Sequence, residues 1–233
     1  MRPQPVQPLP VGPALEEMAR VMRTLEPSGM PDANASWQEQ KSAHMRVALL
    51  EAAVDCLAND GYARTTTQLV AARAKVSRGA MLHHYATKSA LIESVIDFVF
   101  FKRMEHFYGH VAALSEFERV IENKGVEIYW RTIQTPEYEA FIELNVASRT
   151  DAELRAVFEP KAAAFEKLWH DRLPAFFPEW ADQGEKLWVA RDLVVTVLEG
   201  LSLNRRIMAS PNRRIAVRKA LAAMLNALRE DRL

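Results

Sequence analysis

Residues 61–89 read GYARTTTQLVAARAKVSRGAMLHHYATKS, and this stretch decides how the rest of the chain is understood. It holds Arg64, Arg73, Lys75, Arg78 and Lys88 and no Asp or Glu, in a chain of 233 residues whose formal net charge is zero. A neutral protein has no general reason to segregate its cations, whereas a polyanion could lie here without meeting a carboxylate. Two short helices follow from the local grammar. Thr66 is placed to N-cap a helix in which Leu69, Val70 and Ala74 fall at helical spacing. Lys75-Val76 then turns the chain, and Ser77 caps a second helix that begins Arg78-Gly79-Ala80-Met81. The result is a helix-turn-helix. In such units the first helix braces against phosphates while the second lays its N-terminal residues on base edges in the major groove.

The pattern GYxxTTxxxVAxxAxVSxGxxxxHYxxKxxL, from Gly61 to Leu91, closely resembles the DNA-binding domain of the TetR family of bacterial transcriptional regulators. With the preceding helix, the resemblance covers roughly fifty residues; beyond residue 100 only an all-helical pattern of suitable length continues. Lys75 stands where the family usually has Gly, so a left-handed turn there carries a Cβ penalty of about 1 kcal/mol. Leu82 and His83 stand where the family commonly has an aromatic pair.

Residue chemistry assigns the contacts. Thr65, Thr66 and Gln68 open the bracing helix, where hydroxyls and free amides meet phosphates. Arg78 is the expected base reader, because a guanidinium takes guanine O6 and N7 together. Ser77 caps that helix, and Gly79 and Ala80 are small enough to let backbone and methyl approach the bases. The resemblance adds His84, the family's typical histidine, with His83 at the neighbouring aromatic position, as phosphate contacts. It also matches Lys88 to the family's phosphate-binding lysine. Tyr85 is assigned to the core.

Composition bounds the alternatives. Hydrophobic residues at 49% and charged residues at 26% describe an ordinary globular chain with enough length for a full core. Cys56 is the single cysteine, so no disulfide can form within the chain, and a reducing cytoplasm is the natural compartment. The N-terminus lacks an apolar export segment. The longest apolar stretches, around Leu91 to Phe101 and Leu193 to Leu203, are broken by polar residues, so no membrane span is expected.

Taken in order, residues 1–35 are Pro-rich, offer little to bury and are expected to form a flexible arm, with at most a loose helix from Ala14 to Leu25. Ser36-Trp37-Gln38-Glu39 is a capping box. Val47, Leu50, Val54 and Leu57 then form an apolar stripe that ends at Gly61. Thr87 caps a long helix from Lys88 to about Val111, whose two halves serve different bodies. Further helices are expected after Ser115-x-x-Glu118, interrupted by Gly125; after Thr135-Pro136, through Phe141, Leu144 and Val146; and after Thr150-x-x-Glu153, kinked or restarted at Pro160. Pro174 to Gly184 reads as a loop, Glu185 to about Met208 as a helix, and Ser210-Pro211 opens the last one. That last helix has a large-residue face, Val217, Leu221, Met224 and Leu228, beside a small-residue face, Ala216, Ala220, Ala223 and Ala227. The alanines are the candidate dimer contact, since the resemblance implies an intersubunit four-helix bundle; helix propensity alone explains them equally well.

The candidate effector walls are Phe101, Met104, Phe107, Tyr108, Tyr129, Trp130, Ile133, Phe141, Asn145, Phe165, Trp169 and Asn204. Their mix of many apolar and few polar groups suits a mostly apolar small molecule, although each can equally be ordinary core. Arg149 and Arg205 could meet an acidic group. His106 and His110 have chelating spacing without a third ligand, so no metal is assigned; His44 and His170 have no partner in the sequence. No cofactor is implied, and no catalytic pattern is found.

These readings converge on an all-α chain with a flexible arm at 1–35, a three-helix DNA-binding domain at 36–90, and a helical effector-binding and dimerisation domain at 91–233. The function expected is a cytoplasmic homodimeric regulator that binds a double-stranded palindromic operator and releases it on binding its effector. A helical small-molecule-binding or adaptor protein with a non-functional DNA arm is the competing class.

Overall fold

The structure is a computed structural model that describes residues 11–32, 34–114, 124–177, 180, 182–208 and 210–232. Every regular element among the described residues is an α-helix, as the periodicity requires. The chain divides into two compact units. One comprises residues 20–105 and 135–167, and the other 1–19, 106–134 and 168–233.

The first unit contains the helix-turn-helix. Helix α2, Trp37–Asp60, starts at the expected capping box: the Ser36 N–H donates to Glu39 Oε2 at 2.9 Å, and the Ser36 side chain accepts from the Glu39 N–H. Its buried face is wider than the stripe read from sequence. Leu49, Ala53 and Cys56 are sealed with Leu50, Val54 and Leu57, while Val47 is only half-buried. Burial pushes the Cys56 thiol up from its ordinary range, which leaves it an inert core side chain. Gly61 ends α2 with φ 84°, and its N–H donates to the Cys56 and Leu57 carbonyls.

Helix α3, Thr67–Arg73, is capped by Thr66, and helix α4, Arg78–His84, by Ser77. Between them Lys75 adopts φ 57°. The Val76 N–H reaches the Ala71 carbonyl at 3.0 Å and the Lys75 N–H the Ala72 carbonyl at 3.2 Å, a Schellman motif closed by a non-glycine residue. Helix α5, Lys88–Ala112, opens on Thr87, whose hydroxyl accepts from the Ala90 N–H at 3.1 Å. Leu91, Val95 and Phe98 are fully buried along it. The boundary between the two units falls inside α5, between residues 105 and 106.

Helix α1, Val11–Leu25, corrects the expectation that residues 1–35 offer little to bury, because Met18 is 1% exposed and Val21 is buried too. The segment after it is held to α2, where Arg46 Nη1 donates to the Ser28 carbonyl at 3.0 Å. Gly29, at φ 76°, lies so close that a Cβ there would meet Arg46 Nη1 at 1.5 Å.

The expected cap at Ser115 and the start of its helix lie outside the described residues. Helix α6, Lys124–Thr132, contains Gly125 without interruption. A Cβ at Gly125 would come within 3.0 Å of the Phe177 ring, so close packing accounts for this glycine. Helix α7, Pro136–Ser148, begins as expected, capped by Thr135 with Pro at its first position, although Val146 is exposed.

Helix α8, Ala152–Phe176, differs from expectation three times. Its first turn is capped by Asp151, whose Oδ1 accepts the Leu154 N–H at 2.9 Å, rather than by Thr150. It runs through Pro160 without a break. Ala156 and Pro160 both face solvent, where water can take the orphaned carbonyl. It also continues past Pro174, which was read as the start of a loop.

Helix α9, Glu185–Leu203, stops five residues short of the expected Met208, with Asn204 Nδ2 donating to the Gly200 carbonyl at 2.8 Å. Helix α10, Pro211–Arg229, starts at Ser210-Pro211 as read. In the second unit α6, α9 and α10 pack on one another. Leu225, not Met224, takes the inward position beside Leu221.

Candidate nucleic-acid interface

Helix α4 divides cleanly into two faces. Met81 and Tyr85 are buried, while Arg78, Gly79, Leu82 and His83 are exposed along the opposite side. Tyr85 is therefore a core residue, as expected, and burial pushes its phenol up from the usual range. The Ser77 hydroxyl accepts the Ala80 N–H at 3.1 Å, which fixes where Arg78 and Gly79 leave the turn. A Cβ on Gly79 would have only Ser77 Oγ near it, at 3.9 Å. Among the described residues nothing requires glycine there.

The five cations of this stretch are not equivalent, which corrects the idea that a polyanion here meets no carboxylate. Arg73 turns back to α2 and pairs with Asp55 at 2.9 Å and Asp60 at 2.8 Å. Burial works against the Arg73 charge, but the Asp60 hydrogen bond and the charges around it raise its pKa above the ordinary value. Lys88 is half-buried; its Nζ donates to the Tyr62 carbonyl at 2.7 Å and lies 4.0 Å from the Tyr62 ring centroid. Burial lowers the Lys88 pKa, partly countered by Asp151. Arg64, Lys75 and Arg78 remain exposed. The outward cations are thus Arg64 in the turn before α3, Lys75 in the turn between the two helices and Arg78 at the start of α4.

Among the bracing residues, Thr66 and Gln68 are exposed, with the Thr66 hydroxyl accepting the Leu69 N–H at 3.1 Å. Thr65 is sealed, and its hydroxyl donates to the Gly61 carbonyl at 2.8 Å. Its work is in the turn, not at a phosphate, which corrects the sequence assignment. Ala80 and His84 are half-buried and His83 is exposed, the two imidazoles meeting edge to face at 5.5 Å. Burial, then the Arg46 and His83 charges, lowers the His84 pKa.

The effector candidates fall in both units. In the first, Phe101, Met104 and Phe165 are buried, Phe141 is half-buried and Asn145 is exposed. Phe100, which the sequence reading omitted, stacks on Phe165 at 4.6 Å and lies 5.9 Å from Phe141. Arg103 was also missed, because no sequence rule places a cation inside an aromatic cluster: it is 8% exposed, with Cζ 3.8 Å from the Phe141 ring centroid. In the second unit Phe107 meets Trp169 edge-on at 4.5 Å, and Ile133 is sealed. Tyr129 donates to Glu199 at 2.6 Å, and Trp130 lies 4.9 Å from the Arg218 guanidinium. Tyr108 and Asn204 are half-buried. Arg149 is exposed, and its carbonyl accepts from Arg155. His170 stacks on Trp188 with ring centroids 3.8 Å apart. Among the described residues no group of three or more potential ligands is placed to hold a metal.

In α9 and α10 a second surface is left uncovered. Val189, Leu203, Ile215 and Met224 are exposed, as is Ile207 just beyond α9, at 84%. Ala216, Ala220 and Ala223 are exposed and Ala227 is half-buried.

Residues 49–95 match the family model described as bacterial regulatory proteins, tetR family. An uncharacterized HTH-type transcriptional regulator of Mycobacterium tuberculosis, Rv2912c, is 27% identical over 199 residues, covering 83% of this chain and 98% of the relative. The HTH-type transcriptional repressor Rv3405c of the same species is 33% identical over 78 residues, covering 34% of this chain and 41% of its own. A TetR-family structure from Streptomyces coelicolor, SCO1917, superposes with a TM-score of 0.54 at 24% identity, covering 78% of this chain and 97% of that one. The multidrug binding protein EbrR, solved with imidazole, superposes at 0.52 and 23% identity, covering 77% and 93%. These superpositions establish the fold. Among the described residues no helix is long and apolar enough to cross a membrane.

Proposed function

We propose that the chain is a DNA-binding regulator of the TetR family, supported by the family-model match at residues 49–95 and the HTH-type regulators it resembles, and that it is a cytoplasmic homodimeric repressor whose operator is released by a mostly apolar small molecule. The observation that carries the DNA-reading part is the outward face of α4, where Arg78, Gly79, Leu82 and His83 stand exposed behind the Ser77 cap. Arg78 reads a guanine, Gly79 admits the base edge, and the exposed Arg64 and Lys75 add attraction to phosphate without sequence preference. Thr66, Gln68, Ala80, His83 and His84 complete the contact surface, and Lys88 acts on DNA only if it exchanges the Tyr62 carbonyl for a phosphate.

Dimer formation draws on the uncovered apolar residues of α9 and α10, with Ala216, Ala220 and Ala223 allowing close approach and Ala227 at the margin. Two recognition helices then address half-sites one turn of DNA apart, about 34–36 Å. An effector that prefers a dimer with different spacing shifts the population away from DNA by its differential affinity for the two states. Selection of bound sequences from a random duplex pool tests this: a two-fold repeated site is expected, and a single unrepeated motif contradicts the dimer.

A further inference from the structure

The aromatic cluster of the first unit holds a cation for which the described residues supply no counter-charge. Arg103 is more than nine-tenths buried, and its Cζ lies 3.8 Å from the Phe141 centroid, 5.4 Å from Phe165 and 5.5 Å from Tyr138. Among the described residues no carboxylate, carbonyl or hydroxyl accepts a hydrogen bond from it. Two part-buried cations of this unit behave differently: Lys161 finds Asp97 at 2.6 Å and Arg73 finds Asp55 and Asp60.

Magnitudes separate a structural role from a binding one. Burying a guanidinium costs several kcal/mol unless it is paired and hydrogen-bonded, whereas a ring contact returns about 2 kcal/mol when desolvated. A packing role alone would be served better by Leu or Met at this position of α5. The rings meet the guanidinium through its π face, and a guanidinium presents its N–H donors in its own plane, in the fork that matches a carboxylate. Arg103 keeps 8% of its surface open, which leaves a small group a way to it.

We propose that Arg103 anchors the carboxylate head of an effector whose apolar body lies against the Phe100, Phe141 and Phe165 rings. This rests on the reading that the chain is effector-responsive, and it sharpens the effector class from mostly apolar to an apolar acid. Of the cations that sequence alone offered for an acidic group, Arg149 is exposed and Arg205 half-buried, neither sealed as Arg103 is.

The test titrates the full-length protein with octanoate and with octanol, which differ only in the headgroup, following tryptophan fluorescence, and repeats both on Arg103→Gln and Arg103→Lys. Octanoate is expected to bind about ten- to a hundredfold tighter than octanol, the range of one or two charge-assisted hydrogen bonds. Arg103→Gln should erase that preference while octanol affinity stays within about twofold, and Arg103→Lys should keep part of it. Equal binding of the two probes, or an undiminished preference in Arg103→Gln, overturns the anchor. Adding each probe to the protein–DNA complex keeps the two readings apart. Octanol releasing DNA as well as octanoate sinks the carboxylate head and leaves an apolar effector standing. Neither probe binding sinks the anchor, while retained DNA binding leaves the regulator intact.

Discussion

Glu143 on α7 reaches across 81 positions of sequence to accept the backbone N–H of Tyr62 at 2.6 Å, at the turn that leads into the helix-turn-helix. The Tyr62 carbonyl in turn accepts from Lys88, and the Tyr62 ring, its phenol pushed up first by burial and then by Asp151, closes the same junction. The backbone of one residue is thereby held at both its N–H and its carbonyl. Glu143→Ala leaves a part-buried N–H without its acceptor and should cost about 1–3 kcal/mol in denaturant titration; Glu143→Gln, which keeps a neutral acceptor, should cost less than half as much. Equal losses in the two variants would mean the carboxylate charge, not the acceptor, matters.

The neighbouring Gly61 tests the same junction by crowding. At φ 84° a side chain is strained, and a Cβ would stand 3.1 Å from Glu143 Oε1. Gly61→Ala is expected to destabilise by about 1 kcal/mol or more, read as a lower denaturation midpoint with unchanged slope.

Lys75 and Gly79 should respond in opposite ways to a change of Cβ. Lys75 holds φ 57° at a helix end where glycine is free of strain, so Lys75→Gly should stabilise the fold by up to about 1 kcal/mol. Gly79 sits in the first turn of α4 with open space around it, so Gly79→Ala should gain several tenths of a kcal/mol of stability, about 0.5–1 at most, while weakening DNA binding. A Gly79→Ala protein with unaltered affinity for its selected site would show that no base edge approaches there.

Acid should act on His84. Its folded pKa lies below the usual 6.5, so between that value and 6.5 the unfolded chain binds more protons. Stability attached to this group is complete above pH 6.5 and declines as the pH falls through that window. His84→Gln should flatten that part of the stability profile, measured by thermal melting from pH 7.5 down to about pH 5.5.

The sequence made the helix starts plain and the long-range pairings invisible. Ser36, Thr66, Ser77, Thr87, Thr135 and Ser210 all cap as read, because an N-cap is decided within four residues. Thr150 failed against its neighbour Asp151, which has the stronger acceptor one position on. Pro160 does not restart the helix, because its cost depends on whether the orphaned carbonyl faces water, a tertiary fact. The outward face of α4 was legible from Ser77 to His84, yet Thr65 was assigned to the interface, and Arg73 counted among the cations of the stretch, when Gly61, Asp55 and Asp60 had claimed them. Arg103 lay beyond any periodicity rule, since a helical stripe reads a cation as solvent-facing.

The exposed alanines of α10 allow a direct challenge to the proposed dimer. Ala223→Glu places a charge on that face and should shift sedimentation from dimer to monomer at micromolar concentration. A variant that remains dimeric moves the interface away from α10.

The most direct test of the regulator is a gel-shift titration of the purified chain and of Arg78→Ala against the selected duplex and a scrambled one, in dilute buffer and at rising salt. The wild-type protein should prefer the selected site, and Arg78→Ala should lose about 1–3 kcal/mol on that site alone while retaining salt-sensitive binding to the scrambled duplex. No binding to either duplex at low salt would contradict DNA recognition through α4.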